Sequence, residues 1–240
     1  MNILTPTVPQ WVSITFIFAI IIPIFVMGKM AKTGAINSNL QSPKKYQYIL
    51  QGFLILFFVY TSLMSFTGIF QENTLPPKIF LFTTIPLFLF YNLISSTNKN
   101  WKNIIHHISL STLIRFHIIR FIGVFFLITY TYGALPKYFA VAGGIGDIIA
   151  AITAIFVANY AKKNKPHFKK VVFVWNCIGF LDILNVVAAG LITTKISIET
   201  GSQGLTEIAN FPFCLIPAFA PATIIFLHLT IFKKLWNQKT

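Results

Sequence analysis

Acidic side chains are nearly missing from this sequence: 240 residues hold five Asp and Glu against nineteen Lys and Arg. Charge of either sign makes up only 10% of the chain, where soluble domains carry roughly 25%. With a mean hydropathy of +0.73, that scarcity excludes a water-soluble globular domain. Only two cysteines are present, Cys177 and Cys214. They exclude a disulfide framework, and their places on two different apolar runs put them at different depths, out of reach of the ~7 Å Cα separation that a single bridge needs. No lysine lies in the middle of any apolar run, which excludes a retinal Schiff base. No HExxH helix, phosphate-binding glycine loop or nucleophile elbow occurs either, so the common signatures of zinc-protease, nucleotide-binding and hydrolase chemistry are missing. The formal net charge of +14 does not point to nucleic acid, because the basic residues fall in short clusters between long apolar runs rather than on one polar surface.

What is abundant is apolar sequence. A helix needs roughly 17 to 25 mostly apolar residues to cross a bilayer, and seven runs are long enough: Trp11 to Met30, Tyr48 to Phe70, Ile79 to Ser95, Ser111 to Tyr132, Phe139 to Tyr160, Val171 to Ile192 and Phe211 to Phe232. The fold class expected is therefore all-α, a single polytopic domain of seven transmembrane helices spanning residues 1–240. With these spans, sixteen Lys and Arg, Lys239 among them, fall on one side and only Lys78, Lys137 and Lys195 on the other. The positive-inside rule then places the N-terminus outside and the C-terminus in the cytoplasm. The first run lacks a preceding basic residue and a small-x-small cleavage site, so it reads as a retained span, not a signal peptide. Glu72, Glu199 and Glu207 fall in external loops as solvated acids. Asn98 to Ser111 reads as a short helix lying in the cytoplasmic headgroup region, and the terminal Tyr and Trp residues of the spans as an aromatic belt. No loop is long enough for a soluble domain, so function has to reside in the bundle or at its rims.

A charged group at the bilayer centre costs about 2.5 to 3.5 kcal/mol even on the lenient insertion scale. Three are expected there: Arg120 on span four, Asp147 on span five and Asp182 on span six. Counted from the cytoplasmic ends, their depths fall within ~6 Å of one another, a gap that an Arg side chain covers. Arg120 is expected to pair with Asp147, Asp182 or both. Gly143, Asp147, Ala150, Ala151 and Ala154 form a small-residue stripe on span five, and Trp175, Gly179, Asp182, Val186 and Ala189 share a face of span six with Asn185 a step to the side. Such stripes let backbones approach closely; Gly123, Gly144 and Gly146 belong with them. Pro217 and Pro221 are expected to distort the outer half of span seven. Two carboxylates facing one guanidinium leave a surplus negative charge if both are ionised, an arrangement that suits a proton-coupled carrier or a cation site. His117 and His228 stand level near the cytoplasmic side, where two His from different helices are the donor set for a metal or haem b.

Arg120 with Gly123, "LPKYFA" (Leu135 to Ala140), "GIGD" (Gly144 to Asp147), "WNCIGFLD" (Trp175 to Asp182) and "LIPAF" (Leu215 to Phe219) followed by Pro221 and His228 resemble a group of uncharacterised bacterial seven-span integral membrane proteins with no known activity. The resemblance covers spans four to seven and implies a bacterial plasma membrane. Three functional readings stay open from the residues: a proton- or small-solute-handling carrier using Arg120, Asp147, Asp182, Asn185 and Trp175; a haem-binding redox protein using His117 and His228; and a non-enzymatic subunit or sensor whose polar cluster is structural. The partners expected are the lipid bilayer and a second copy or a membrane subunit, with no nucleic acid.

Overall fold

The computed structural model describes residues 7–237, and every regular element among them is helical; Lys239 lies outside the described residues. In chain order the elements are α1 (Gln10–Asn37), α2 (Pro43–Phe66), a short 3₁₀ turn (Ile69–Gln71), a π turn (Phe80–Thr84) running into α3 (Ile85–Thr97), and α4 (Lys99–His107). Next come α5 (Leu110–Phe116), a 3₁₀ segment (His117–Gly123) and α6 (Val124–Thr131), which together form one continuous helical rod. α7 (Lys137–Lys162), α8 (Phe168–Thr200), α9 (Thr206–Ala209) and α10 (Leu215–Asn237) complete the chain. Seven of these rods are long and apolar enough to cross a membrane.

The ends differ from the expected ones for local reasons. α2 stops at Phe66 because Gly68 turns the chain with φ +78°, a left-handed geometry that favours glycine. α8 continues past Ile192 to Thr200, where Gly201 at φ +67° ends it. The seventh helix begins at Leu215, not Phe211. Pro217 therefore sits in its first turn, where a missing N–H costs little, and only Pro221 interrupts its interior.

α10 is the most buried rod, whereas α2 and the third span expose most of their surface. Two apolar clusters fill the bundle. One lies toward the end carrying the 67–79 and 201–214 connections and includes Phe16, Leu54, Phe125, Phe139 and Phe213; the other lies toward the lysine-rich end and includes Ile104, Leu113, Ile114, Val172 and Ile231. α4 is N-capped by Asn98, whose Oδ1 accepts from the amides of Asn100 and Trp101, and it buries Ile104 against the second cluster.

Two prolines, Pro221 and Pro86, leave carbonyls to which side chains from neighbouring helices donate. Pro221 cannot donate to the Pro217 carbonyl, which instead accepts from Thr84 Oγ1 at 2.6 Å. Pro86 likewise leaves the Phe82 carbonyl, which accepts from Tyr60 Oη at 3.2 Å. These bonds tie the third span to the seventh and the second to the third. Glu72 pairs with Lys78, and Glu199 with Lys195 at 3.7 Å. Glu207 departs from expectation. The 201–214 connection folds inward, with Ser65 Oγ donating to Ala209 O at 2.9 Å, and this leaves Glu207 only 5% exposed with Oε1 lacking a hydrogen-bond partner. Both cysteines are free.

Candidate functional site

The middle of the fourth span decides the site. His117 to Gly123 form seven residues of 3₁₀ helix, longer than the usual three or four, and a mid-helix stretch of this kind marks a hinge or local strain. At three residues per turn, positions i, i+3 and i+6 eclipse. His117, Arg120 and Gly123 thereby line up in one row, where an α-helix would fan them apart. The row lies between the two apolar clusters and faces α7 and α8.

Arg120 is completely buried, and all of its nitrogens are used. Nε donates to Asp147 Oδ1 at 2.7 Å, Nη2 reaches the same oxygen at 2.6 Å and also pairs with Asp182 Oδ2, and Nη1 donates to the Gly179 carbonyl at 3.2 Å. Asp147 is 4% exposed, while the Asp182 side chain keeps 20% of its surface. Small residues make this approach possible. A Cβ on Gly123 would stand 2.5 Å from that of Asp147, and a Cβ on Gly144 would stand 3.0 Å from the Gly123 carbonyl, so the two backbones cross there. A Cβ on Gly146 would overlap the Asp182 carboxylate. Gly143 faces the Phe126 ring and Gly179 faces His228. Charge-assisted bonds of this type are roughly twice as strong as neutral ones, and together they hold three rods in register.

Below the arginine, toward the lysine-rich end, the His117 and His228 rings stand 4.3 Å apart between centroids, with Trp175 edge-on to His117 at 5.2 Å. Trp175 Nε1 donates to Thr153 Oγ1 at 2.9 Å. Asn176 clamps His228 twice: its Nδ2 donates to the His228 carbonyl at 3.1 Å, and its Oδ1 lies 2.8 Å from His228 Nδ1. The first bond orients the amide, so Oδ1 accepts and Nδ1 carries the proton. His228 Nε2 then presents a lone pair, buried and without a partner, as are both ring nitrogens of His117. The rings pack directly on each other and leave no room for a macrocycle between two imidazoles, so this pair does not fit a haem. Among the described residues no group of three or more His, Cys, Asp or Glu is placed to hold a metal ion.

On the other side of the cluster a cavity of about 80 Å³ runs from the 70–80 connection, past Leu205 and Thr206, and ends on Asp147. Its walls are mostly apolar, with Gln71, Glu72, Asn73, Thr194 and Thr206 as polar exceptions besides Asp147. That volume admits a few waters or one small solute.

The structure thus brings together Arg120, Asp147, Asp182 and the glycines that the sequence singles out. Trp175 belongs to the histidine layer, not the charge cluster. Asn185 does not join either, because three residues beyond Asp182 it turns onto the exposed outer side of α8 beside Leu184. Asn176 and the Gly179 carbonyl went unread in the sequence, although Asn176 stands i−3 from Gly179 on the same helical face. Pro221 lines the cavity together with Pro217, whose carbonyl takes the Thr84 bond.

An all-helical chain with seven rods of membrane-spanning length and a buried charge cluster is the class defined here. Residues 77–236 match the family described as a domain of unknown function (DUF8737), and the chain belongs to that family. The matched stretch contains every residue of the charge cluster and the histidine layer. No curated protein and no solved structure matches the chain.

Proposed function

We propose that this is a multi-pass integral protein of the bacterial plasma membrane, N-terminus outside and C-terminus cytoplasmic, that carries protons, alone or with a small solute, through the Arg120–Asp147–Asp182 cluster. The sixteen-to-three lysine and arginine asymmetry supports the orientation. The observation that carries the function is the cavity ending on Asp147. A carboxylate on the floor of a one-sided cavity, already sharing one guanidinium with a second carboxylate, can exchange a proton or a cation with the outside while the arginine retains a partner. Chains of Asp and His within membrane spans serve proton relays. His228 Nε2 and Arg120 Nη1 both lie within 4 Å of the Cβ position of Gly179, so the relay extends from the cluster to His228 Nε2 and His117, whose buried ring nitrogens lack partners, and on toward the cytoplasmic side.

Purified protein in liposomes loaded with a pH-sensitive dye tests this. An imposed potassium-diffusion potential should drive proton entry in the wild type and none above empty liposomes in Asp147→Asn. Equal flux in both would sink the proposal. A second reading, a membrane subunit or a homo-oligomer with a structural cluster, draws on Asn185, which puts an exposed polar group on the outer side of α8. A stable second chain co-purifying through that face, with no proton flux by the isolated protein, would favour it.

A further inference from the structure

At the lysine-rich end, between α3, α4 and α10, lies a cavity of about 180 Å³ lined by Lys102, His106, Lys233, Lys234, Asn92 and Ser95. A second cavity, about 100 Å³ and almost wholly apolar, lies deeper, walled by Met27, Met30, Phe53, Phe90 and Trp101 among others. Ile105, Phe226 and Thr230 line both, so the two adjoin. No acid lines either one. Among the described residues the four ion pairs involve none of these lysines. Lys234 Nζ donates to the His106 carbonyl at 2.5 Å, which fixes one ammonium at the rim and leaves it two further donors. The protein thus gathers three cations without a counter-ion at the mouth of a greasy slot.

We propose that this double cavity binds one anionic phospholipid, its phosphate on Lys102, Lys233 and Lys234 and an acyl chain in the apolar slot behind Ile105 and Phe226. Charge complementarity selects the headgroup, since basic pockets between membrane helices on the cytoplasmic side take anionic lipid. The adjoining apolar cavity selects an amphiphile over a free anion. Occupancy would fasten α4 to α3 and α10 through the lipid. The inference rests on the membrane reading above but not on proton transport.

The test uses the full chain in phosphatidylcholine nanodiscs, titrated with phosphatidylglycerol carrying brominated acyl chains. Bromine quenches nearby indoles, and Trp101 lines the slot; its share is the difference from Trp101→Phe. Saturable quenching of Trp101 at low mole fractions of phosphatidylglycerol, absent with brominated phosphatidylcholine, is expected. The triple variant Lys102→Gln/Lys233→Gln/Lys234→Gln should need at least tenfold more lipid. Equal quenching by both lipids, or an unshifted titration in the triple variant, would overturn the lipid site. So would inorganic phosphate shifting thermal stability while brominated phosphatidylglycerol leaves Trp101 unquenched, which would assign a free-anion site instead. Membrane association resistant to alkaline carbonate is measured first; its loss would strike the membrane reading, and with it the lipid site, apart from any result on proton flux.

Discussion

The fourth and seventh spans both depart from the regular α hydrogen-bond pattern within the bundle, the fourth by a change of helix type and the seventh by a single missing backbone bond, and they do so from different causes. In α10 the fault is covalent: Pro221 has no N–H, and Thr84 repairs the orphaned Pro217 carbonyl from the side. In the fourth span no proline occurs between Leu110 and Thr131, yet seven residues run as 3₁₀ helix. What holds that segment lies outside it, in the carboxylates of α7 and α8 and the Gly179 carbonyl that engage Arg120. One irregularity is built into the backbone and would persist without its neighbours. The other is sustained by side-chain chemistry, and it sits where the charge is.

The comparison breaks most sharply at Arg120. Arg120→Leu strands two carboxylates among helices and should cost about 3 to 5 kcal/mol, the usual penalty for removing one partner of a buried pair, read by unfolding in detergent or bicelles. Amide exchange over residues 117–123 should accelerate in that variant while exchange across α10 stays near wild type. If the 117–123 amides kept their protection, the segment would be intrinsic and the distinction lost. Thr84→Val gives the smaller counterpart, a loss of roughly 1 to 3 kcal/mol from an unsatisfied buried carbonyl, confined to α10 and the third span. In a Pro221→Ala background the helix supplies its own donor, so Thr84→Val should then cost less than about 1 kcal/mol; an unchanged cost would show that the Thr84 bond has nothing to do with the proline. The least effect on stability is expected of His117→Phe. Both of its ring nitrogens are buried without partners, and replacing unsatisfied polar atoms by apolar ones of similar shape is nearly neutral. The same variant should slow proton entry into liposomes, and full flux would remove His117 from the relay.

Much of this contrast could be read from the amino acids. Residue counting from the lysine-rich ends put Arg120, Asp147 and Asp182 at one depth because rise per residue is constant, and both pairings are present in the structure. Pro221 announces the missing backbone bond in the seventh helix, though the helix runs on as α through it. The 3₁₀ segment did not show itself, since His117 to Gly123 carry no local signal for it; it arises from three chain segments meeting, which periodicity along one segment does not contain. Asn185 is exposed although Val186 beside it is buried, because a step of 100° around α8 separates an inward from an outward residue, and that turning point depends on where α7 packs. Glu207 is buried because its loop folds back over the bundle, and nothing in the residues around it announces that fold.

The 3₁₀ segment also sets a length. Its seven residues rise about 2.0 Å each instead of 1.5 Å, so a return to α geometry would shorten the span by about 3.5 Å and rotate its ends against each other by roughly 140°. Arg120 would swing away from its acceptors as His117 and Gly123 fell out of its row. The fourth span is in that respect a wound spring with the guanidinium as its catch, and the acids of α7 and α8 keep it set.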